Sequence, residues 1–247
     1  IYRFMVLYKQ TIVPALLSSL LYILVFGEAL GSRIGPLEGQ SYMSYIVPGL
    51  AMMSVITQSY QNSASSIMQA KYLRFIEDIL IAPLSGLQVS LGYIIGGAMR
   101  GLICGLGILI MCIILSEIPN AQDEFNIKNW PLTILYLLTV SWTFSAFGVI
   151  IGIIAKSWDE IGSFSNFIFM PMTFLGGVFY SVDMLSEPWR TISYFNPIYW
   201  MISGLRYSTL NIGEHLNLIA LFLCLGFSSL FTIIASYLFK TGYKIKS

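Results

Sequence analysis

Charge is what this chain has least of. Asp, Glu, Lys and Arg make up 10% of its 247 residues, against roughly 25% in an ordinary soluble domain. Only Arg100 falls clearly inside a long apolar stretch, with Glu28 close to the end of another. There is one histidine, His215, and it stands beside Glu214 where a helix is expected to start, a position that suits an interfacial residue better than a ligand. No His-Glu-x-x-His zinc motif, Gly-x-Ser-x-Gly nucleophile elbow or pair of intramembrane aspartates occurs, so a membrane-embedded hydrolase has no site to assemble. No Gly-x-x-x-x-Gly-Lys-Ser/Thr loop occurs either, so the chain does not cradle ATP phosphates by that device. Cys104, Cys112 and Cys224 all lie in apolar segments, where a thiol packs as a small hydrophobe, and they imply no disulfide framework.

What is present is hydrophobic length. The chain is 56% hydrophobic with a mean hydropathy of +0.76. Six apolar stretches, 12–30, 45–66, 87–115, 132–155, 164–182 and 216–239, each approach the ~20 residues that an α-helix needs to cross hydrocarbon. The expected fold is all-α and integral to the membrane, a single domain of six transmembrane helices over residues 1–247. The first stretch is too long for a signal peptide and lacks a small-residue cleavage site. Because Ile1 is not Met and Tyr2–Gln10 leads straight into a span, there is room for a short segment upstream.

The sign of the remaining charge sets an expected orientation, since basic residues are retained on the cytoplasmic side. With the N-terminus inside, the inner set is Arg3, Lys9, Lys71, Arg74, Lys156, Lys240, Lys244 and Lys246, eight in all; the outer set is Arg33, Lys128, Arg190 and Arg206, which is four. Both termini are therefore expected in the cytoplasm. An ion-driven carrier usually needs an acidic or basic relay near the bilayer midplane. Here every acid except Glu28 lies in a loop or at a boundary, which weighs against ion-coupled transport. Arg100 is the one exception, read either as snorkelling or pairing between helices or as part of a transport path.

Four local patterns stand out. Residues 70–82 followed by Pro83 read as a short amphipathic helix, with Lys71, Arg74 and Asp78 on one side, Glu77 adjacent, and Tyr72, Phe75, Ile76 and Ile79 on the other. Such a helix lies on a membrane or docks in a partner's groove. In the second stretch Ser54, Gln58, Gln61 and Ser65 share a helical face, with Thr57, Asn62 and Ser66 beside it; the strip must be buried between helices or line a wet path. Glycines at four-residue spacing, Gly92 and Gly96, then Gly97, Gly101 and Gly105, then Gly148 and Gly152, let helices approach closely, within one subunit or across a seam. Finally Phe179, Tyr180, Trp189, Tyr194, Phe195, Tyr199, Trp200 and Tyr207, interrupted by Pro188 and Pro197, form an aromatic run of the kind that anchors at a bilayer interface.

Several strings occur in a telling order. Pro48-Gly49-Leu50 comes first, then Ile81-Ala82-Pro83-Leu84-Ser85, then Phe174-Leu175-Gly176-Gly177-Val178-Phe179-Tyr180, then Asn196-Pro197 and Gly204-Leu205-Arg206-Tyr207. In this order and spacing the chain resembles, over nearly its whole length, the ABC-2 type export permeases, including the bacterial inner-membrane branch and the nodulation and drug-resistance exporters. It departs from many relatives, which have Ser-Gly and then a proline, in carrying Gly176-Gly177 and then Ser181.

The resemblance implies a bacterial inner-membrane subunit that dimerises with a second copy, contacts membrane lipid and no nucleic acid, and binds two cytoplasmic ABC ATPase subunits. No cofactor is expected in this chain; ATP and Mg belong to the partner. The amphipathic helix becomes the coupling helix, with Lys71, Arg74, Phe75, Glu77 and Asp78 contacting the ATPase. Ser54, Gln58, Gln61, Ser65 and Arg100 become the translocation path. Short re-entrant helices after the fifth span roof the exit, and Gly176, Gly177, Phe179, Tyr180, Asn196 and Pro197 form an outer gate. The family's amphipathic helix ahead of the first span is represented here only by its end, Tyr2 to Gln10. An ion-coupled carrier and a non-transporting scaffold are the alternatives.

Overall fold

The computed structural model describes residues 11–117, 125–212 and 218–243. Among them the protein is helical, with no strand beyond an isolated bridge between Leu37 and Gln40. The helices are α1 (Val13–Ile34), α2 (Tyr42–Tyr72), α3 (Ile76–Ile81), α4 (Gly86–Ser116), α5 (Trp130–Ile154), α6 (Trp158–Phe164), α7 (Met170–Leu175), α8 (Trp189–Phe195), α9 (Pro197–Leu210) and α10 (Leu218–Thr241). Three of these are long and apolar enough to cross a membrane: α4, α5 and, over Ile219–Thr241, α10. The expected end of an upstream amphipathic helix, Tyr2 to Gln10, lies outside the described residues, as do His215 and Glu214.

The long helices start where local chemistry says they should. Ser41, Asn129 and Ser157 accept from the backbone N–H three residues on, and Ser85 with Gln88 closes a reciprocal capping box immediately after Pro83. Pro14 and Pro131 occupy the first turns of α1 and α5, where a missing N–H costs nothing.

Helix α2 is the centre of the bundle and packs on α1, α4, α5, α6 and α9. The reason is small residues. A Cβ at Gly97, Gly101 or Gly105 of α4 would overlap Ser63, Ser59 and Val55 of α2, and one at Gly148 or Gly152 of α5 would meet the α2 backbone at Tyr60 and Ala64. The glycine stripes thus seat α2 between α4 and α5 within one chain. Close approach then supports hydrogen bonds that stitch three helices together. Ser63 Oγ and Ser145 Oγ are 2.7 Å apart, Ser145 donates to the Ile94 carbonyl at 2.7 Å, and Ser63 to that of Tyr93 at 3.3 Å. Dense packing and satisfied polar groups are what hold helices together where hydrocarbon supplies no hydrophobic drive.

The structure departs from the expected boundaries in three places. Helix α2 is 31 residues long and absorbs both Pro48 and the start of the expected coupling helix. The stretch expected at 164–182 is instead helical from Trp158 to Leu175, with a π-helical turn at Ser165–Phe169, and stops at Gly176. Asp159 and Glu160 fit its first turn because the exposed N–H groups there favour negative charge. Gly177, at φ +77°, ends the run: a Cβ there would press on Val182 and the Tyr180 carbonyl. The third departure is that the expected helix 70–82 is two pieces, broken at Leu73–Phe75.

Candidate functional site

At one end of the bundle lie α3, the C-termini of α2, α5 and α10, and the start of α4. Lys71 Nζ donates to the carbonyls of Gly152, Ile153 and Ala155, the last two at 2.8 and 2.7 Å, so it caps the C-terminus of α5 from the last turn of α2. Beyond it the chain breaks, and Arg74 adopts a left-handed conformation at φ 61°, uncommon for a residue with a side chain. The break also divides the expected apolar face. Ile76 is buried and Ile79 half-buried against α2 and its neighbours, whereas Tyr72, Leu73 and Phe75 are exposed by 78%, 55% and 42%. Arg74, Glu77 and Asp78 are exposed alongside them. Of the five residues expected to meet a partner, four therefore face outward, and Lys71 is turned inward to α5.

Midway along α4, 14 residues or ~21 Å from its start by the 1.5 Å rise of a helix, Arg100 reaches across to α2. Its Nη2 donates to Gln58 Oε1 at 2.6 Å and its Nη1 to Asn62 Oδ1 at 3.3 Å. Both partners are neutral amides, and the buried Nε has none. The only ion pair among the described residues is Arg190–Asp183. Of the expected polar strip, Gln58 is thus tied to Arg100. Gln61 is exposed, Ser65 bonds back to the Asn62 carbonyl, and Ser54 is buried with its Oγ unpaired. Asn62, expected only beside the strip, is the second ligand of the guanidinium. The face carrying Gln58, Gln61, Asn62, Ser65 and Arg100 is neither fully buried nor apolar.

At the opposite end the turn after α7 is held by side chains from four elements. Gly49 of α2 packs so closely on the backbone of Val178 that a Cβ there would collide. The Phe179 carbonyl accepts from Tyr42 Oη at 3.1 Å, and its ring meets Phe26 and Phe174 with centroids 4.8 and 5.6 Å apart. Asn196 caps α9 by accepting from the Ile198 N–H while its amide donates to the Met172 carbonyl, which pins the start of α9, with Pro197 in its first turn, to α7. Tyr180 is half-buried beside this cluster. The residues expected to form an outer gate, Gly176, Gly177, Phe179, Tyr180, Asn196 and Pro197, therefore fall at one place.

The residue that the sequence reading missed is Arg206. Assigned there to an outer loop, it lies in α9 and is only 7% exposed. Its Nη2 donates to the Gly177 carbonyl at 2.9 Å and its guanidinium lies 3.8 Å from the centroid of the Tyr45 ring. Tyr45 Oη in turn donates to Glu38 Oε1, which also accepts from Ser181 Oγ at 2.7 Å. Helix α9 is 14 residues long, too short to span a bilayer. Burial pushes the Arg206 guanidinium down from its ordinary value, while Tyr45, Glu38 and Tyr199 act the other way. A signal existed in the sequence: Asn196-Pro197 is a helix start, and Ile198, Met201, Ile202 and Leu205 recur at helical spacing beside Arg206.

The described residues thus carry an exposed turn at a positive φ at one end, a half-open polar face mid-bundle, and a tied turn at the other end. The comparisons give the class. The ABC-2 type transporter family model matches residues 2–210, and the chain belongs to that family. It is 44% identical over 214 residues to the inner membrane transport permease YadH of Escherichia coli K12, covering 87% of this chain and 81% of that protein. It is 23% identical over 234 residues to nodulation protein J of Rhizobium leguminosarum bv. viciae, covering 89% and 86%. The chain is thus a helical transport permease, similar to proteins of the bacterial inner membrane.

Proposed function

We propose that this chain is the membrane-spanning subunit of an ATP-binding-cassette exporter of the bacterial inner membrane. It crosses the bilayer six times, by α1, α2, α4, α5, the helical run Trp158–Leu175 and α10, with both termini in the cytoplasm, a reading the eight-to-four bias of basic residues supports. Two copies pair, and the half-open polar face of α2 and α4 lines a path between inner and outer sides; facing lipid, it would leave its amides without partners. Two ABC ATPase subunits bind on the cytoplasmic side and supply the ATP and Mg site. Helices α8 and α9 are re-entrant and roof the exit, with the tied turn at Gly176–Tyr180 and Asn196–Pro197 as the gate.

The observation that carries this reading is the break between α2 and α3. A chain of this family exposes Tyr72, Leu73 and Phe75 there, beside Arg74, Glu77 and Asp78, on a backbone held at a positive φ. Exposed apolar groups ringed by charges of both signs suit a groove on a protein, and observed backbone strain points to function. Lys71 is the anchor of that coupler: any displacement of the turn reaches α5 through its three carbonyl contacts. ATP binding closes the ATPase pair, moves the two turns and shifts the dimer from an inward-open to an outward-open state, which requires the substrate to bind the two states unequally. An apolar, aromatic and sparsely charged path suits a lipid-like, glycan or drug-like substrate.

Co-purification tests this. The permease, expressed with its ABC ATPase and extracted in mild detergent, should retain the ATPase and change its rate of hydrolysis. An ion-driven carrier or a passive scaffold predicts neither, and a permease that exports in vesicles without ATP would overturn the proposal.

A further inference from the structure

We infer that Arg100, Gln58 and Asn62 form a binding site for the oxyanion headgroup, phosphate or carboxylate, of an amphipathic substrate. This rests on the proposed path only for its route of entry; the site itself stands on geometry. A guanidinium offers five N–H donors in a fork matched to two oxygens. Here one hydrogen bond goes to Gln58 and one to Asn62, both neutral, and Nε has no partner. A cation at this depth is expensive unless an anion or water compensates it. Among the described residues no acid is paired with Arg100. Among them Glu28 is the one acid position inside a long apolar helix away from its ends, and the backbone register places that position far from Arg100. Gly27 packs on Met43 and Leu16 on Gly107, which sets Glu28 level with the distal end of α4, about 16 residues from Arg100 or ~24 Å at 1.5 Å per residue.

The second observation is empty space. Gly97, Gly101 and Gly105 are filled by α2, but Gly92 and Gly96 meet nothing within 4 Å of where a Cβ would stand. At four-residue spacing Gly92, Gly96 and Arg100 share one face of α4. They make a strip without side chains, open at Gly92, that starts at the α3 end of the helix and stops at Arg100. Ser65 and Gln61 of α2 are partly and largely exposed in the same region. An acyl chain in apolar surroundings with its headgroup on a guanidinium between two amides matches this shape and charge.

The test titrates the purified dimer in neutral maltoside detergent, by native mass spectrometry, with dioctanoyl phosphatidic acid, laurate and dioctanoylglycerol, which has acyl chains but no oxyanion. The wild type should bind phosphatidic acid or laurate at least ~10-fold more tightly than dioctanoylglycerol, a factor equal to about 1.4 kcal/mol; which of the two wins tells a phosphate from a carboxylate source. Arg100→Gln should abolish the preference and leave dioctanoylglycerol binding unchanged, which also reports an intact fold. Arg100→Lys should keep part of it, and Gly96→Leu should weaken binding of the anion by covering the open strip with the charge in place. Equal binding of all three probes by the wild type, or an unchanged preference in Arg100→Gln, overturns the inference. Loss of the dimer in Arg100→Gln, with no anion preference in the wild type, overturns it too and assigns Arg100 to the contact between copies. ATPase assembly is scored on the same preparations. Anion preference without assembly removes the exporter reading and keeps the site, and assembly without preference does the reverse.

Discussion

Two arginines reach into this bundle, and they are held in opposite ways. Arg206 is closed in: at 7% exposed it donates to one backbone carbonyl, lies on an aromatic face near a carboxylate and leaves only its buried Nε unpaired, and it joins α9 to α2 and to the turn at Gly177. Arg100 is half-open: two neutral amides on one helix hold it, one nitrogen is unpaired, and the space beside it is bare glycine. Each guanidinium leaves its Nε unpaired, so what distinguishes the two is access: Arg206 is enclosed by packed elements and acts as a tie, whereas Arg100 stands beside open space. On the function proposed above, the first holds shape and the second meets cargo.

The largest expected effect removes the platform on which Arg100 stands. Gly101→Leu, one residue along α4, forces α2 and α4 apart at Ser59 and Val55. It should cost about 3 kcal/mol or more and leave little folded protein by size-exclusion chromatography in detergent. Next is Arg206→Ala, which leaves the Gly177 carbonyl unpaired and a hollow over Tyr45. A loss of about 2–4 kcal/mol is expected from one charge-assisted hydrogen bond and one buried cation–π contact, read as a lowered Tm. Arg100→Gln gives up two hydrogen bonds but also relieves the cost of a half-buried cation among apolar helices, so the two offset and stability should change by less than about 1 kcal/mol while transport in vesicles is impaired. A variant as unstable as Arg206→Ala would erase the contrast. Smallest is Glu38→Gln, which keeps an acceptor for Ser181 and Tyr45 and removes only charge, for an expected shift of about 0.5–1 kcal/mol.

Much of this was legible in the chain, for reasons that particular residues show. Gly97, Gly101, Gly148 and Gly152 announced close helix packing, and the structure shows them packing within one subunit. Arg100 and the polar face of α2 were visible because polarity is conspicuous against hydrocarbon. The break at Leu73–Phe75 was not visible: Tyr72, Leu73, Arg74 and Phe75 include no glycine, proline or asparagine. The turn is imposed from outside, by Lys71 bound to the end of α5 and Ile76 buried behind it. Local propensity yields to such tertiary ties. Arg206 was hidden for a related reason, since a charge after a proline among aromatics reads as a loop until the helix that carries it is seen to be packed on Tyr45.

Where the ATPase acts is the central claim, and it rests on the exposed turn rather than on either arginine. The direct measurement is ATP hydrolysis by the ATPase reconstituted in vesicles with the permease, wild type against Arg74→Glu combined with Phe75→Ala. The two copies should still pair and the ATPase should keep its basal rate, while the change in rate caused by the permease falls about 10-fold, the equivalent of about 1.4 kcal/mol of coupling, and export stops. Wild-type hydrolysis and export in the double variant would contradict the account.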